Sequence, residues 1–424
     1  MKNIKNTSIG VIGLGYVGLP LSIRMGLKFS VIGYDIDKNR IQQLKKNIDT
    51  TNEITKKELI NKKNLIFTNS ISDLNKCNFY IVTLPTPINN KNKPDLSIIK
   101  TATKNLSKYI NKNDIIVYES TVYPGVTEEI CAPIIEKYSG LKFNKDFFCG
   151  YSPERINPGD KEKKIHNIKK VVSGSTPGTL KIVNKIYSSV ISAGTHKVSN
   201  IKIAEAAKVI ENTQRDLNIA LINEISMIFE SINIDMHKVL KAAKTKWNFI
   251  PFTPGLVGGH CIGVDPYYLT YLSEKLGHKP KVILAGRKIN NQMHKFVSKR
   301  FIDKLKEKKI RLKQSKILIM GYTFKENCPD TRNTKIKDLA LYLKKSVDKV
   351  DIYDPWVNNL EDFSKTQNIN FIKRPKKNRY DGIIIAVGHS VFKKVGIKKV
   401  RSFGKKISII FDFKKIYLDK FTDL

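Results

Sequence analysis

The segment from Pro254 to Leu269, Pro-Gly-Leu-Val-Gly-Gly-His-Cys-Ile-Gly-Val-Asp-Pro-Tyr-Tyr-Leu, carries the residues best suited to covalent chemistry. Gly258 and Gly259 bring the backbone close to a neighbour just before His260 and Cys261. A cysteine in a glycine-rich polar loop is not a packed core thiol. Near backbone N–H groups and basic neighbours it suits a nucleophile. Adjacent His and Cys lack metal-ligand spacing and no second pair exists, so no metal site is expected. His260 taken alone reads as structural. Upstream, Lys208 and Asn212 are four residues apart and share a helix face. Alone such a pair is a solvated face; the cysteine loop changes that weighting.

A second constellation binds rather than reacts. Ser8 to Gly13 is a short apolar run of strand type. Gly13-Leu14-Gly15-Tyr16-Val17-Gly18 follows at once, then a helical pattern through Leu21, Met25 and Leu27, then a strand from Ser30 to Tyr34 that ends at Asp35. Strand, glycine turn, helix, strand and acid make up a dinucleotide-binding unit. Gly13 permits the tight turn, Gly15 lets the backbone approach a pyrophosphate, and Gly18 lets helix and strand pack closely. Asp35 would accept from a ribose hydroxyl and repel a 2′-phosphate, which predicts NAD over NADP. Arg40, five residues on, would soften that discrimination.

These groups need a frame. Strand-like runs from Phe79 to Leu84, Asp114 to Tyr118 and Phe147 to Tyr151 end in Pro85-Thr86-Pro87, Glu119-Ser120-Thr121 and Ser152-Pro153-Glu154. Helical patterns from Asp95 to Tyr109 and Thr127 to Tyr138 lie between them, and this alternation predicts a parallel sheet. Polar residues just after successive strands then line its carboxyl edge, which makes Thr86, Thr121 and Glu154 site candidates. From Ile203 to about Ile232 runs one helical pattern without Gly or Pro, long enough to span between domains or subunits. After a Lys-rich linker at about 302–316, strands are expected at Lys316 to Met320, Lys349 to Tyr353, Gly382 to Val387 and Ile407 to Phe411, with a helix at about 334–346. This second domain lacks a full glycine fingerprint, so a second NAD is not expected. The fold class is α/β: two Rossmann-like doubly wound domains joined by a long central helical region. The boundaries are 1–200, 201–301 and 302–424.

Composition bounds the rest. The 424 residues are 27% charged and 41% hydrophobic, which suits two or three globular domains and excludes a disordered or collagen-like chain. Five separated cysteines without CxxC read as free thiols in a reducing compartment. The uncharged stretch Thr7 to Ile23 holds four glycines and Pro20, and reads as neither signal peptide nor membrane span. The protein is therefore expected in the cytoplasm, away from membranes. The net charge is +38, yet only 11 of the 76 basic residues are arginine and the lysines are scattered. A nucleic-acid reader clusters its charge and favours arginine, so the excess reads as general lysine drift that steers anionic ligands. The basic run Lys373 to Arg379 reads as a solvated loop.

With the glycine fingerprint, Glu119-Ser120-Thr121, Ala204-Glu205-Ala206-Ala207-Lys208 with Asn212, Gly258-Gly259-His260-Cys261 and Phe324-Lys325-Glu326-Asn327 in order, the chain resembles the UDP-glucose/GDP-mannose dehydrogenase family over about residues 8–415. The run Lys246-Trp247-Asn248-Phe249 and the cysteine loop are most similar to its UDP-N-acetylhexosamine 6-dehydrogenases, of the kind that serve Vi-type surface polysaccharide. The resemblance implies NAD-dependent oxidation of a sugar C6 alcohol to aldehyde and then acid. Cys261 would form a thiohemiacetal and a thioester, with Lys208 and Asn212 steadying the oxyanion. Glu154 would assist thioester hydrolysis, and Asp265 and Thr121 would serve the proton network. Lys325, Gly258 and the Phe249 segment would hold a UDP-sugar, beside Glu154, Lys208 and Asn212. Arg332 would lie near NAD. A homodimer or larger oligomer is implied, and UDP-glucose or UDP-N-acetylmannosamine are the alternative substrates. The loop Ser152-Pro153-Glu154-Arg155-Ile156-Asn157-Pro158 lacks the second glutamate of many relatives, and Thr253 stands where an arginine is expected. A one-step hydroxyacid dehydrogenase of similar architecture would need no cysteine, so the Gly-Gly-His-Cys loop argues against it.

Overall fold

The computed structural model describes residues 6–156, 162, 164–357 and 369–417. Asn157 and Pro158 of the Glu154 loop fall outside these residues. The chain divides into two compact units: residues up to Asn212 with Tyr267–Lys279, and Thr213–Pro266 with Pro280 onwards.

The first unit is built on an eight-stranded sheet. Its strands are β1 (Ser8–Ile12), β2 (Ser30–Tyr34), β3 (Leu65–Thr68), β4 (Phe79–Val82), β5 (Ile115–Tyr118), β6 (Phe148–Tyr151), β7 (Lys170–Gly174) and β8 (Thr195–Lys197), in the order β3-β2-β1-β4-β5-β6-β7-β8. The first six follow the doubly wound dinucleotide-binding order. Strands β4 and β5 are buried along their whole length, as central strands covered on both faces must be. The sequence pattern predicts parallel pairing throughout, and one pair departs from it. Strand β7 runs antiparallel to β6, with Tyr151 opposite Ser173.

The second unit carries a five-stranded, all-parallel sheet. Its strands are β9 (Lys316–Met320), β10 (Lys349–Tyr353), β11 (Ile369–Phe371), β12 (Tyr380–Ile385) and β13 (Gly404–Phe411), ordered β11-β10-β9-β12-β13. The expected linker at about 302–316 is in part helix, since Lys281–Glu307 is one continuous helix. Phe301, Ile302 and Leu305 are buried at helical spacing against the core of this sheet, and the lysines that suggested a linker occupy the opposite face.

The long helix runs from Ile201 to Ser231. Its second half, within the second unit, packs on Lys281–Glu307 through a polar core. Arg287 Nη1 donates to Asp216 Oδ1 at 2.6 Å, and Asn290 Nδ2 donates to the same oxygen at 2.8 Å and to the Asp216 carbonyl at 2.9 Å. Asn223 Nδ2 donates to Asn290 Oδ1 at 2.8 Å and to the Gly255 carbonyl at 3.0 Å, and Gly255 N–H returns a bond to Asn223 Oδ1 at 2.9 Å. The network therefore ties the cysteine loop to two helices. A Cβ at Gly286 would stand 2.4 Å from Leu217 Cδ2, so the Leu217 side chain packs directly on the Gly286 backbone.

Asp216→Ala leaves the buried Arg287 guanidinium without its carboxylate. The expected loss is about 3–5 kcal/mol of unfolding free energy. Denaturant unfolding of both proteins checks this, and a loss below about 1 kcal/mol would contradict it.

Candidate active site

The loop after β1 is shaped by close packing. Gly13 has φ +93°, and a Cβ at Gly18 would lie 1.8 Å from the Gly13 carbonyl oxygen. Only glycine permits that approach. Nothing lies within 4 Å of a Cβ placed on the exposed Gly15, so open space adjoins the backbone there. Tyr16 and Val17 lead into the helix Gly18–Met25. Asp35, half-buried, accepts from Leu14 N–H at 2.8 Å through one carboxylate oxygen and from Asp37 N–H at 3.0 Å through the other. Each oxygen retains a lone pair for a ribose hydroxyl. The open cradle and the acid fit an NAD pyrophosphate and ribose. Arg40, expected to soften this selectivity, has its guanidinium engaged within the protein. It is buried, with Nε donating to the Leu14 carbonyl at 2.9 Å, Nη1 to Thr50 Oγ1 at 3.2 Å and Nη2 paired with Asp49 at 2.8 Å.

The loops after β4 and β5 are stitched to this edge. Thr83 Oγ1 donates to the Gly13 carbonyl at 2.8 Å, Leu84 N–H to Ser120 Oγ at 3.0 Å, and Thr86 Oγ1 to the Thr121 carbonyl at 2.6 Å. The carbonyl of Thr86 accepts from the Tyr268 hydroxyl.

A charge cluster lies at the same edge. Lys170 Nζ donates to Glu119 Oε2 and, at 3.3 Å, to Glu154 Oε2. Tyr187 OH donates to Glu119 Oε1. Glu154 Oε1 accepts from the N–H groups of Arg155 and Ile156. Burial pushes Glu119 up to about 7, with the charge of Glu154 adding to the rise and Lys170 opposing it. Burial also works on Glu154, but Lys170, the Ile156 N–H and the Lys208 ammonium hold its carboxyl below the ordinary value. Lys208 is thus not a solvated-face residue: it is buried and its charge acts on Glu154. Asn212 follows one turn on, half-buried. Nearby, Arg155 pairs with Glu211.

In the second unit, Cys261 lies in the turn before the helix Pro266–Lys275. Its carbonyl accepts from Val264 N–H at 3.0 Å and from the buried Asp265 N–H at 2.8 Å. Cys261 is half-exposed, while Cys77, Cys131, Cys149 and Cys328 are buried. Gly258 and Gly259 press on the segment 324–334: their Cβ atoms would lie 2.8 Å from the Asn333 carbonyl and 2.7 Å from the Phe324 ring. Lys325 is half-buried in that segment. Arg332 grips Asp330, with Nε 3.0 Å from both carboxylate oxygens. Phe249 packs against Ile222, Met236 and Leu240. Thr253 is exposed.

The second sheet repeats the local device of the first. Gly321 (φ +96°) donates to the Tyr353 carbonyl at 2.8 Å, as Gly13 does to Tyr34. Asp354 Oδ2 takes Tyr322 and Thr323 N–H groups and also faces the buried His389 Nε2 at 3.1 Å.

Sequence reasoning missed Lys170, Glu119 as a buried acid, and Asp330. The only sequence signal for Lys170 was a lysine beginning an otherwise apolar strand.

Comparison with known proteins supplies the family. Sequence models described as the NAD binding domain, the central domain and the UDP binding domain of the UDP-glucose/GDP-mannose dehydrogenase family match residues 7–191, 202–292 and 318–419. The chain is 51% identical over 421 residues to a UDP-N-acetyl-D-glucosamine 6-dehydrogenase of Pseudomonas aeruginosa, covering 99% of this chain and 100% of that one. It is 51% identical over 416 residues to the Salmonella typhi protein of the same name, covering 98% of each. Among solved structures, a UDP-D-ManNAc dehydrogenase of Pyrococcus horikoshii superposes with TM-score 0.87 at 28% identity, over 99% of this chain and 98% of that one.

The raised Glu119 predicts a pH slope. The folded chain holds this proton up to about 7, the unfolded chain only to its ordinary 4.5. The stabilisation is complete below 4.5 and disappears as pH rises through about 7. Thermal midpoints of the wild type should fall between about pH 5 and 7.5, and those of Glu119→Gln should fall less. Equal slopes in the two proteins would show that Glu119 does not titrate there.

Proposed function

The chain belongs to the UDP-glucose/GDP-mannose dehydrogenase family, and from that membership we propose that it oxidises the C6 alcohol of a UDP-N-acetylhexosamine, UDP-N-acetylglucosamine foremost, to the uronic acid. The supporting observation is 51% identity over the full chain to two proteins named for that activity, against 28% to the solved UDP-D-ManNAc dehydrogenase. GlcNAc and GalNAc differ in one hydroxyl orientation, and UDP-N-acetylgalactosamine stays within the substrate class. The product would enter surface polysaccharide, and the enzyme would work in the cytoplasm; no described helix is long and apolar enough to cross a membrane.

NAD, when bound, accepts the hydride in both oxidations. Gly13, Gly15, Tyr16, Val17 and Gly18 hold its pyrophosphate side and Asp35 its ribose, with Thr86, Thr121 and Arg332 as further contacts. Arg40 acts indirectly, by fixing the Leu14 carbonyl. The Cys261 thiolate adds to the C6 aldehyde: the S–C6 bond forms and the carbonyl π pair moves to oxygen. Lys208 and Asn212 stabilise that oxyanion. Loss of the second hydride leaves a thioester. Water attacks it, Glu154 takes the water proton, and the C–S bond breaks to give carboxylate and free Cys261. Asp265 and Thr121 serve this proton traffic. Lys325, Gly258 and Phe249 hold the nucleotide sugar. In functional terms 1–200 binds NAD, 201–301 supplies the cysteine loop and the dimer helix, and 302–424 binds UDP.

A homodimer fits one feature of the long helix. Ile203, Ile210, Leu221 and Ile228 are 45–60% exposed. Their spacings are near-whole numbers of turns, so they share one face. Ile210→Glu should convert the dimer to monomer in light scattering; an unchanged mass would place the interface elsewhere.

A panel of UDP-sugars with NAD, followed at NADH absorbance, tests the function. UDP-N-acetylglucosamine should turn over faster than UDP-glucose and yield two NADH per acid. Cys261→Ala should keep its melting temperature and NAD affinity yet lose acid formation by about 10³-fold or more. Faster turnover of UDP-glucose, or acid from a folded Cys261→Ala at wild-type rate, would overturn the substrate or the covalent step respectively.

A further inference from the structure

We propose that His389 is the positioning residue of the loop that carries Lys325: its two ring nitrogens fasten both ends of the segment 323–327 and hold it in the form that receives the uridine diphosphate group. This rests on the reading of Lys325 as a nucleotide-sugar contact and names what keeps that contact in place.

The geometry lies wholly within the second unit. His389 is fully buried in the loop after β12. Its Nδ1 accepts from Asn327 N–H at 2.9 Å. A backbone N–H can only donate, so this nitrogen carries no proton and the ring proton sits on Nε2. Nε2 stands 3.1 Å from Asp354 Oδ2 and 3.3 Å from Thr323 Oγ1. The same Asp354 oxygen takes Tyr322 N–H at 2.6 Å and Thr323 N–H at 3.0 Å. Thr323 Oγ1 gives its own proton to the Lys325 carbonyl at 2.8 Å, so towards the ring it accepts. One tautomer therefore serves the start of the segment through Asp354 and Thr323, and its end through Asn327. Trp356 stacks near the imidazole, with centroids 6.3 Å apart at 25°, and Phe392 meets it edge-on at 5.2 Å and 80°, which fixes its plane. Asn327 has φ +57°, a left-handed conformation that asparagine tolerates. Its Oδ1 accepts from Ser390 N–H at 3.0 Å and from Ser390 Oγ at 2.9 Å, so the residue after His389 fastens the same point.

Asp354 alone does not account for this ring. That carboxylate already has two backbone donors, and a histidine serving only to cover it would need nothing at Nδ1. Here Nδ1 is spent on the backbone two residues beyond Lys325. Phe324 and Glu326, on either side of Lys325, line a cavity together with Lys335 and Lys414. The Phe324 ring also stands 2.7 Å from where a Cβ on Gly259 would be, so this one segment shapes both the cavity wall and the seat of the cysteine loop. Without the His389 bonds the ligand itself must order the segment. The fraction of chains in the receptive form then falls, and the apparent affinity falls with it.

UDP is the probe, because every candidate sugar nucleotide contains it. Full-length wild type and His389→Phe are titrated calorimetrically with UDP and, separately, with NAD, and melting temperatures are measured alongside. Phenylalanine keeps a ring and loses both bonds. We expect UDP to bind about tenfold more weakly and NAD to stay within about twofold of wild type. In turnover of UDP-N-acetylglucosamine, KM for the sugar nucleotide should rise about tenfold while kcat falls by no more than about twofold. His389→Gln can still donate towards Asp354 but offers no acceptor in place of Nδ1, and should lose about threefold in UDP affinity. A folded His389→Phe that binds UDP as tightly as wild type overturns the proposal and leaves His389 a partner of Asp354 alone. Equal losses for UDP and NAD mean a general loosening of the chain and overturn it as well. If His389→Phe does not fold, His389→Gln decides: an unchanged UDP affinity overturns the proposal, and so does failure of both variants to fold, which makes the ring a residue of the core. A wild type that does not bind UDP overturns the reading of Lys325 and the proposal with it. A wild type that binds UDP but leaves UDP-N-acetylglucosamine unoxidised removes the substrate reading alone, and the UDP titrations still decide.

Discussion

One buried ammonium serves two buried carboxylates at the edge of the first sheet, and much of that unit follows from where Lys170 must stand. Lys170 opens β7, Glu119 follows β5 and Glu154 follows β6. In an all-parallel sheet the first residue of β7 would lie at the far end from both acids. The reversal of β7 against β6 removes that distance: Tyr151 pairs with Ser173, and the same register carried three residues further sets Glu154 opposite Lys170. Two acids and one cation leave one surplus negative charge without water to dilute it. The tightly buried Glu119 carries the strain as a raised pKa, while two backbone N–H groups and Lys208 keep Glu154 ionised. A buried Glu154 carboxylate is thus kept ionised beside a neighbour that already tends to hold a proton.

Local signals made the first unit legible. Strand β2, the glycine turn and Asp35 stand where the residue pattern places them, because a turn that needs φ +93° at Gly13 and no Cβ at Gly18 accepts few sequences. The long helix and strands β9 and β10 are similarly clear, since apolar periodicity in a buried element is a strong constraint. The linker failed for a related reason. Lysines on the outer face of Lys281–Glu307 mask Phe301, Ile302 and Leu305, so composition suggested a loop where periodicity meant helix.

Long-range pairings were not legible. Asp216 and Arg287 are 71 residues apart, Glu119 and Lys170 51. No spacing rule joins such residues until the fold brings them together. Asp330 was hidden in the same way, whereas its neighbour Arg332 stood out only through family resemblance. The direction of β7 was invisible too, because alternation of strands and helices specifies layers better than it specifies the sense of an added strand.

The two sheets open with the same backbone device, a positive-φ glycine bonded to the end of the next strand and an acid that catches the N–H groups after it. In the first, Asp35 stands at the surface. In the second, His389 stacks near Trp356 and covers Asp354 completely. The same turn thus presents a partly accessible carboxylate in one sheet and a carboxylate already faced by an imidazole in the other, so only Asp35 has room to take an incoming hydroxyl.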